Sequence, residues 1–480
     1  MSAVLKKINQ LPAGWKELAI EDIAEVNPRV NKSEIPDDLS VSFVPMPAVK
    51  AESGAIDVSQ ERLFLEVKKG FTPFCEGDVL FAKITPCMEN GKMAVVPKVK
   101  NGYGFGSTEF HVLRPKDEME AKYLYYFVSS KIFRGVAQHN MSGAVGQKRV
   151  PTNYLKQHLI PVAPPEQQKR IVAKIEELFS HIDAGIEALK KAKQLLKQYR
   201  QSVLKAAVTG ELTKQWREAN KDKLEPASQL LERILKERRQ KWEQQQLEQF
   251  KVKGKIPEDD KWKEKYKEAI EFDADIEIPK EWVGVTTDQV FYYVTSGSRG
   301  WAKYYSEEGP LFLRMGNLEH YDVRLDLEDI QRVSPPEGAE GSRTRVKPGD
   351  SLISITADVG MVGIVPDEFE EAYINQHVSL ARPVICSMGL YLAWLLSGDF
   401  AKEQFKALQR GATKVGLGLD DIKAIQFGLP PLEEEEEIVR LIEERLSSIE
   451  HLDKELDQQL IKAEKNKQSI LASAFSGELN

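Results

Sequence analysis

The 480-residue sequence holds three cysteines, Cys75, Cys87 and Cys386. They are too scattered for a disulfide framework or a zinc site, and they read as buried or idle thiols in a reducing cytoplasm. No run of 18 apolar residues occurs, so no membrane-spanning helix is expected. The opening stretch, MSAVLKKINQLPAGW, lacks the apolar centre of a secretory signal, so a cytoplasmic location is expected. Catalytic signatures are missing as well. A phosphate-cradling G-x-x-x-x-G-K-[ST] loop is absent, since NGKMAV offers only a Gly-Lys pair. The seven histidines form no H-E-x-x-H pattern, and there is no G-x-S-x-G elbow. The run Gly102-Tyr-Gly104-Phe-Gly106 leads into GSTEFHVLRP, which reads as strand, so it lacks the context of a dinucleotide loop. The acidic run LEEEEEIV (432–439) reads as a solvated first helical turn, and Pro257-Glu-Asp-Asp-Lys as charged linker. No catalytic, cofactor-binding or metal-binding residue is assigned.

Positive charge is scarce where a nucleic-acid binder would be expected to show it. The formal net charge is -7, but it is uneven. Residues 1–157 carry 21 Lys and Arg against 18 Asp and Glu, and residues 158–212 carry 9 against 6. Residues 213–277 balance at 16 each, whereas 278–426 hold 15 against 21 and 427–480 hold 6 against 13. Any nucleic-acid surface must therefore be local.

What the chain does have is an internal repeat. Residues 164–212, PPEQQKRIVAKIEELFSHIDAGIEALKKAKQLLKQYRQSVLKAAVTGEL, match 431–479 without a gap at an offset of 267. The offset pairs Pro164 with Pro431, Ile171 with Ile438, Ile175 with Ile442, Leu204 with Leu471 and Gly210 with Gly477. It also pairs LPAGW (11–15) with IPKEW (278–282), hence Trp15 with Trp282. Between these anchors, EGDVLFAKI (76–84) faces PGDSLISIT (348–356), and FHVLRP (110–115) faces VSLARP (378–383).

The repeated segments read as long helices. Positions 171, 175, 178, 182, 185, 189, 192, 196, 199 and 203 step by four and three and are mostly apolar, the stripe of a coiled coil. In the second copy the stripe meets polar interruptions at Arg445, Gln459 and Asn466. Prolines precede each helix, Glu166 or Glu433 opens it, and Gly210 and Gly477 are expected to cap the ends. A helix of about 43 residues spans about 65 Å. Two such stripes in one chain are most simply buried against each other, which would place the globular halves at opposite ends of an antiparallel rod. Residues 213–277 read as solvated helix and linker that can prolong the first long helix beyond Pro226, with a break at KVKGKIPEDD (251–260).

The diverging domains show short β-type runs such as DVLFAKI, KMAVVP and HVSLARP. Helical stretches follow at 121–138 and 390–409, and then Gly-containing basic loops at 141–150 and 410–419. The expected fold class is α+β: two α+β domains separated by two long antiparallel coiled-coil helices, with an internal pseudo-two-fold repeat. The expected divisions are 1–157, 158–215, 216–277, 278–426 and 427–480. A chain with two diverging domains on one repeated rod, and no catalytic constellation, reads as a binder of an asymmetric, bipartite site. The competing reading is a coiled-coil adaptor with two protein-binding domains and no DNA role.

These motifs together resemble the specificity subunits of type I restriction-modification systems. The resemblance covers nearly the whole chain: the two Trp-containing domain starts, the Ile160–Ile171 approach to the first helix, the VLKAAVTGEL and ILASAFSGEL helix ends, and the GDVLFAKITPCMENGKMAVV and GFGSTEFHVLRP blocks. LEEEEEI departs from the family's Pro-x-x-Glu-Gln at the start of the second helix. The resemblance implies two target recognition domains, each reading half of a split site in double-stranded DNA. It implies docking of two modification subunits that supply S-adenosylmethionine binding and adenine-N6 methyl transfer. Restriction subunits would add ATP- and magnesium-dependent translocation and cleavage, so those cofactors would sit on partners. Base and phosphate contacts call for polar and cationic side chains on loops. The candidates are Lys83, Thr85, Asn90, Lys92, Gln147, Lys148 and Arg149 in the first domain. In the second they are Arg299, Lys303, Arg314, Asn317, Arg343, Arg345, Thr413 and Lys414.

Overall fold

The computed structural model describes residues 11–144, 146–254, 256–257, 259–297, 299–335, 339–408 and 416–479. The chain forms two compact units. One comprises the residues up to Ala192 with those from Glu455 onward, and the other comprises Lys193–Lys454. Each unit thus owns one α+β domain and parts of both long helices.

In the first unit the elements run β1 (Lys16–Ala19), α1 (Ile20–Ile23), β2 (Ala24–Val26), β3 (Ser40–Val44), β4 (Glu61–Leu63), α2 (Phe64–Val67), β5 (Thr72–Phe74) and β6 (Val79–Ala82). They continue with β7 (Met93–Val95), β8 (Gly104–Gly106), β9 (Phe110–Pro115), α3 (Ala121–Ser129), α4 (Lys131–His139), α5 (Thr152–Gln157), β10 (Leu159–Val162) and the long helix α6 (Pro165–Val208). One sheet has the order β2-β9-β6-β7, a second β4-β3-β8-β5, and β1 pairs with β10. The Gly-rich run at 102–106 supplies β8, in the interior of the second sheet. A Cβ on Gly104 would lie 2.0 Å from the Phe74 ring, so glycine there makes room for packing.

The second unit adds α7 (Lys214–Asn220), α8 (Ala227–Val252), β11 (Val283–Thr286), α9 (Thr287–Val290), β12 (Phe291–Ser296), β13 (Tyr305–Leu313), β14 (Arg332–Val333), α10 (Ala339–Thr344) and β15 (Ser351–Ser354). Then follow β16 (Val362–Ile364), β17 (Ala372–Ile374), β18 (Val378–Pro383), α11 (Gly389–Ser397), α12 (Asp399–Leu408), α13 (Leu419–Lys423), β19 (Gln426–Leu429) and the second long helix α14 (Leu432–Ser476). The sheets repeat the first unit's plan: β12-β18-β15-β16, β14-β13-β17, and β11 with β19. A shared ion pair fixes the first sheet in both units. Arg114 Nε and Nη2 donate to the two Asp78 oxygens at 2.8 Å each, and Arg382 grips Asp350 the same way at 2.7 Å. These residues come from the GD and RP positions of the paired blocks.

The helices run antiparallel inside each unit. In the first, Ile171 and Ile175 share a core with Leu471 and Phe475, and Lys467 bonds Asp183. In the second, Lys193 meets Asp453 at 3.3 Å and Arg445 donates to the Tyr199 hydroxyl at 3.2 Å. The stripe differs in detail from the strict four–three alternation. Ile186 is buried where Gly185 was expected, and Leu446 where Arg445 was. An α-helix turns every 3.6 residues, so its buried face drifts off a 3.5-residue repeat and two consecutive steps of four occur. The interruption at Arg445 therefore lies outside the seam.

Three further expectations are corrected. The helical stretches 121–138 and 390–409 are each two helices, broken at Ser130 and Gly398. The Ser130 hydroxyl accepts from Phe133 N at 3.2 Å and caps α4. Helix α6 stops at Val208 and is not prolonged past Pro226, because Gly210 adopts φ +73° and turns the chain away. Helix α8 is also not wholly solvated: Ala227, Leu230 and Ile234 are buried against the second domain.

Both helix ends are latched by the starts of the domains. Gly477, at φ +76°, lies under Pro12, and Gly210 lies under Pro279. A Cβ would come within 2.1 Å of Pro12 Cγ in one case and 2.4 Å of Pro279 Cγ in the other. The backbone conformation and the close approach both require glycine. Next to each latch a buried tryptophan bonds the opening turn of a long helix. Trp15 Nε1 donates to Gln167 Oε1 at 3.1 Å, and Trp282 Nε1 to Glu434 Oε2 at 3.0 Å.

Candidate nucleic-acid interface

In the first unit the candidate residues gather on two loops. One joins β6 to β7 and carries Lys83, Thr85, Asn90 and Lys92. The other follows α4 and carries Gln147, Lys148 and Arg149. Backbone bonds stitch them together: Thr85 N donates to Lys148 O at 3.0 Å, and Val150 N to Lys83 O at 2.9 Å. Lys83 N in turn donates to Glu109 O at 2.9 Å, which ties the pair to the start of β9. Asn90, Gln147 and Lys148 are exposed, and Lys83, Thr85, Lys92 and Arg149 are half-buried. The Thr85 hydroxyl donates to Glu89 Oε1 at 2.9 Å, and Lys92 Nζ to Met46 O at 3.3 Å. Arg149 is held as a fork: Nε donates to Glu109 Oε2 at 2.9 Å and Nη2 to Glu109 Oε1 at 2.8 Å. The Arg149 guanidinium holds the Glu109 carboxyl below its ordinary range.

Beneath this cluster sits His111. Its Nε2 donates to Val150 O at 2.8 Å, and its Nδ1 accepts from the Asn27 amide at 3.1 Å. Burial pushes its pKa down to about 4, so the ring is neutral at physiological pH and serves as a rigid strut.

The second set is spread over four segments. Arg299 and Lys303 are exposed after β12, with Lys303 Nζ lying 4.8 Å from the Tyr304 ring centre. Arg343 donates to Thr295 Oγ1 at 2.7 Å and Ser296 O at 2.9 Å, so it packs on the end of β12. Arg345 is exposed, with Nε 3.5 Å from Glu371 Oε1. Arg314 Nη2 donates to Asp329 Oδ2 at 3.0 Å. Asn317 is buried, and its amide is used up inside the protein. Its oxygen accepts from Arg314 N at 2.8 Å, and its nitrogen donates to Asp326 O at 2.8 Å and Asp329 O at 3.1 Å. In this conformation it shapes a loop and offers no free edge. Thr413 and Lys414 lie outside the described residues.

The loops equivalent to the first unit's cluster carry residues that the sequence reading passed over. Leu417 N donates to Ile355 O at 2.9 Å, as Val150 does to Lys83, and Thr356 bridges Gly416 as Ile84 bridges Arg149. Here the His377 ring bonds Thr356 Oγ1 at 2.6 Å through Nδ1 and Gln376 Nε2 at 2.9 Å through Nε2. The signal was present in the repeat: the alignment that pairs FHVLRP with VSLARP puts Gln376 and His377 opposite Thr108 and Glu109.

The family model "Type I restriction modification DNA specificity domain" matches residues 12–197 and 339–461, together well over half of the chain. The type I restriction enzyme EcoAI specificity subunit of Escherichia coli is 29% identical over 348 residues, covering 65% of this chain. The match covers 56% of that relative, so this chain spans little more than half its length. Among solved structures, a chain described under complex assembly and conformational transition of the type I R-M system superposes with a TM-score of 0.68. It is 20% identical and covers 97% of this chain and 98% of that one. The HsdS subunit from Thermoanaerobacter tengcongensis superposes with a TM-score of 0.56 at 20% identity, covering 98% of each chain. The repeated domains, their helices and these matches agree: the chain belongs to the type I restriction-modification DNA specificity family.

Proposed function

We propose that this chain is the DNA sequence-recognition subunit of a type I restriction-modification complex, with each unit reading one half of a bipartite, asymmetric site. One observation carries the reading: a single strand framework, used twice, presents two different loop chemistries. The first offers Arg149 and Glu109 beside Lys83 and Lys148, and the second Gln376, His377 and Thr356 at equivalent places. Identical readers would suit a palindrome, whereas divergent ones suit a split, asymmetric sequence.

The chain itself is proposed to be non-catalytic and to work in the cytoplasm. No helix among the described residues is long and apolar enough to cross a membrane. Methyl transfer with S-adenosylmethionine, and translocation and cleavage with ATP and magnesium, would belong to two modification subunits and to restriction subunits. Exposed apolar side chains on the long helices, Leu195, Tyr199, Leu452 and Ile461, favour partner helices docking there. The adaptor reading gains nothing from family membership.

The test is co-expression with the neighbouring genes, purification of the complex and mapping of methylated adenines in the host genome. A split motif is expected, and the absence of both methylation and a complex would refute the reading. In that complex Lys148→Ala and Lys414→Ala should each weaken DNA binding and reduce the slope of log affinity against log salt by about one. An unchanged affinity and slope in both would remove these two residues from the interface.

A further inference from the structure

Arg149 and Lys148 are neighbours, yet their electrostatic situations are opposite. Lys148 is exposed and forms no side-chain ion pair among the described residues, so it carries a full positive charge toward solvent. Arg149 is matched by Glu109 through two parallel bonds at 2.8 and 2.9 Å, with the side chains 41% and 25% exposed. The pair has almost no net charge. A phosphate anchor needs net charge, and here any phosphate would also approach the Glu109 carboxylate. A base edge is neutral and is read by directed donors, so a charge-compensated guanidinium suits a base better than a phosphate.

Geometry leads to the same conclusion. The Glu109 fork occupies the Nε and Nη2 edge, and Nη1 makes one bond, to Gln147 O at 3.1 Å. One N–H on Nη1 and one on Nη2 remain without a partner among the described residues. Two N–H groups at the tip of a planar fork match the O6 and N7 acceptors on guanine's major-groove edge. The carboxylate fixes the rotamer before DNA arrives, so little side-chain freedom is lost on contact. The backbone is fixed too, since Arg149 bridges Ile84 on one side and Ser142 on the other. In the second unit the equivalent positions are His377, whose carbonyl accepts from Ile355 N at 3.0 Å as that of Glu109 does from Lys83 N, and Gly416, so this device exists in one reader only.

We infer that Arg149 reads a guanine in the first half-site and that Glu109 is its positioning residue. This rests on the proposed DNA-reading function, and the experiment separates the two. The full chain, assembled with its modification subunits, is offered duplexes in which each base pair of the first half-site is changed in turn. The unmodified complex should discriminate against loss of one particular G·C pair. Glu109→Gln and Arg149→Lys should each lower that discrimination by roughly ten- to a hundredfold, at that pair alone. Discrimination in the second half-site should persist in both variants, which shows that they fold and assemble. Glu109→Gln should also steepen the salt dependence, because it uncovers a positive charge. Uniform weakening on every duplex, or unchanged discrimination in either variant, overturns the assignment. If one variant fails to assemble, the other decides. An unmodified complex that recognises no split site refutes the function of the chain, whereas a split site unaffected by both variants refutes only the guanine contact.

Discussion

The two long helices open on the same backbone plan with different chemistry. In the first unit the opening turn carries Gln167 and Gln168, and in the second Glu434 and Glu435 stand in their places. Gln167 needs only Trp15. Gln168, buried, accepts from Glu120 N at 2.9 Å and donates to Ala163 O at 2.8 Å and Glu118 O at 3.3 Å. Replacing each amide nitrogen by oxygen removes donors and adds a charge, and the second unit answers the two changes differently. Glu434 is compensated: Arg217 Nη1 and the Thr213 hydroxyl each donate to it at 2.6 Å, and Trp282 caps its other oxygen. Arg217 sits on α7, a segment between the two repeats. Glu435 is not compensated. It is buried, neither oxygen has a partner among the described residues, and burial pushes its carboxyl well above the ordinary range. A duplicated scaffold thus tolerates an acid where an added segment supplies a cation, and elsewhere holds the acid in its neutral form.

The largest break in this comparison should come from Arg217→Ala. It leaves the Glu434 carboxylate buried without its cation, which should destabilise the second unit by about 3–5 kcal/mol. Hydrogen exchange should rise across 282–286 and stay unchanged across 15–19, and adding Glu434→Gln should restore most of the loss. Equal loosening of both stretches would refute a unit-specific clasp.

Acid should act on the other unit. The folded pKa of His111 lies at about 4, below its ordinary 6.5, so the unfolded chain takes up a proton that the folded first unit refuses. Stability from this group is complete above pH 6.5 and falls as pH drops toward 4, by roughly 3 kcal/mol in all. The second unit has Ser379 at the paired position, so its strands should not share this loss. Exchange profiles at pH 7 and pH 5 compare the two directly.

The smallest effect concerns Glu435. Its folded pKa is raised, so its contribution is complete below pH 4.5 and is lost as pH rises above that value. Glu435→Gln should stabilise the second unit by about 1–3 kcal/mol near neutral pH and remove that dependence. The reciprocal Gln168→Glu should impose it on the first unit. Denaturation midpoints against pH measure both, and a flat response in both would show that Glu435 is solvated.

Much of this architecture was legible in the sequence because duplication left two copies to compare. The ungapped offset gave the helices, the paired tryptophans and the paired glycines, and strand β9 was read as FHVLRP to the residue. The site was less legible. Lys83, Thr85, Lys148 and Arg149 stand in one stitched cluster because loop chemistry and chain position happened to coincide. Asn317 was chosen for its amide, but a buried amide satisfied by backbone looks the same in sequence as one waiting for a base. Glu109 was passed over because a carboxylate repels DNA when considered alone, and its meaning depends on the arginine 40 positions away that it holds. The burial of Leu446 in place of Arg445 depended on helical drift, which accumulates over turns and cannot be seen in any one heptad.

The latch of Pro12 over Gly477 has a consequence for biosynthesis. The first domain is made well before Leu471, Ala474 and Phe475, which belong to its core. Ile171 and Ile175 emerge from the ribosome with part of their apolar seat missing, while about 300 further residues are added. Closing so distant a contact is entropically dear and slow. The nascent first unit therefore waits half-finished with an apolar face uncovered. Slowing translation through 213–277 should lengthen its exposure to chaperones and proteases, whereas the second unit closes on helices that are already made or are made next.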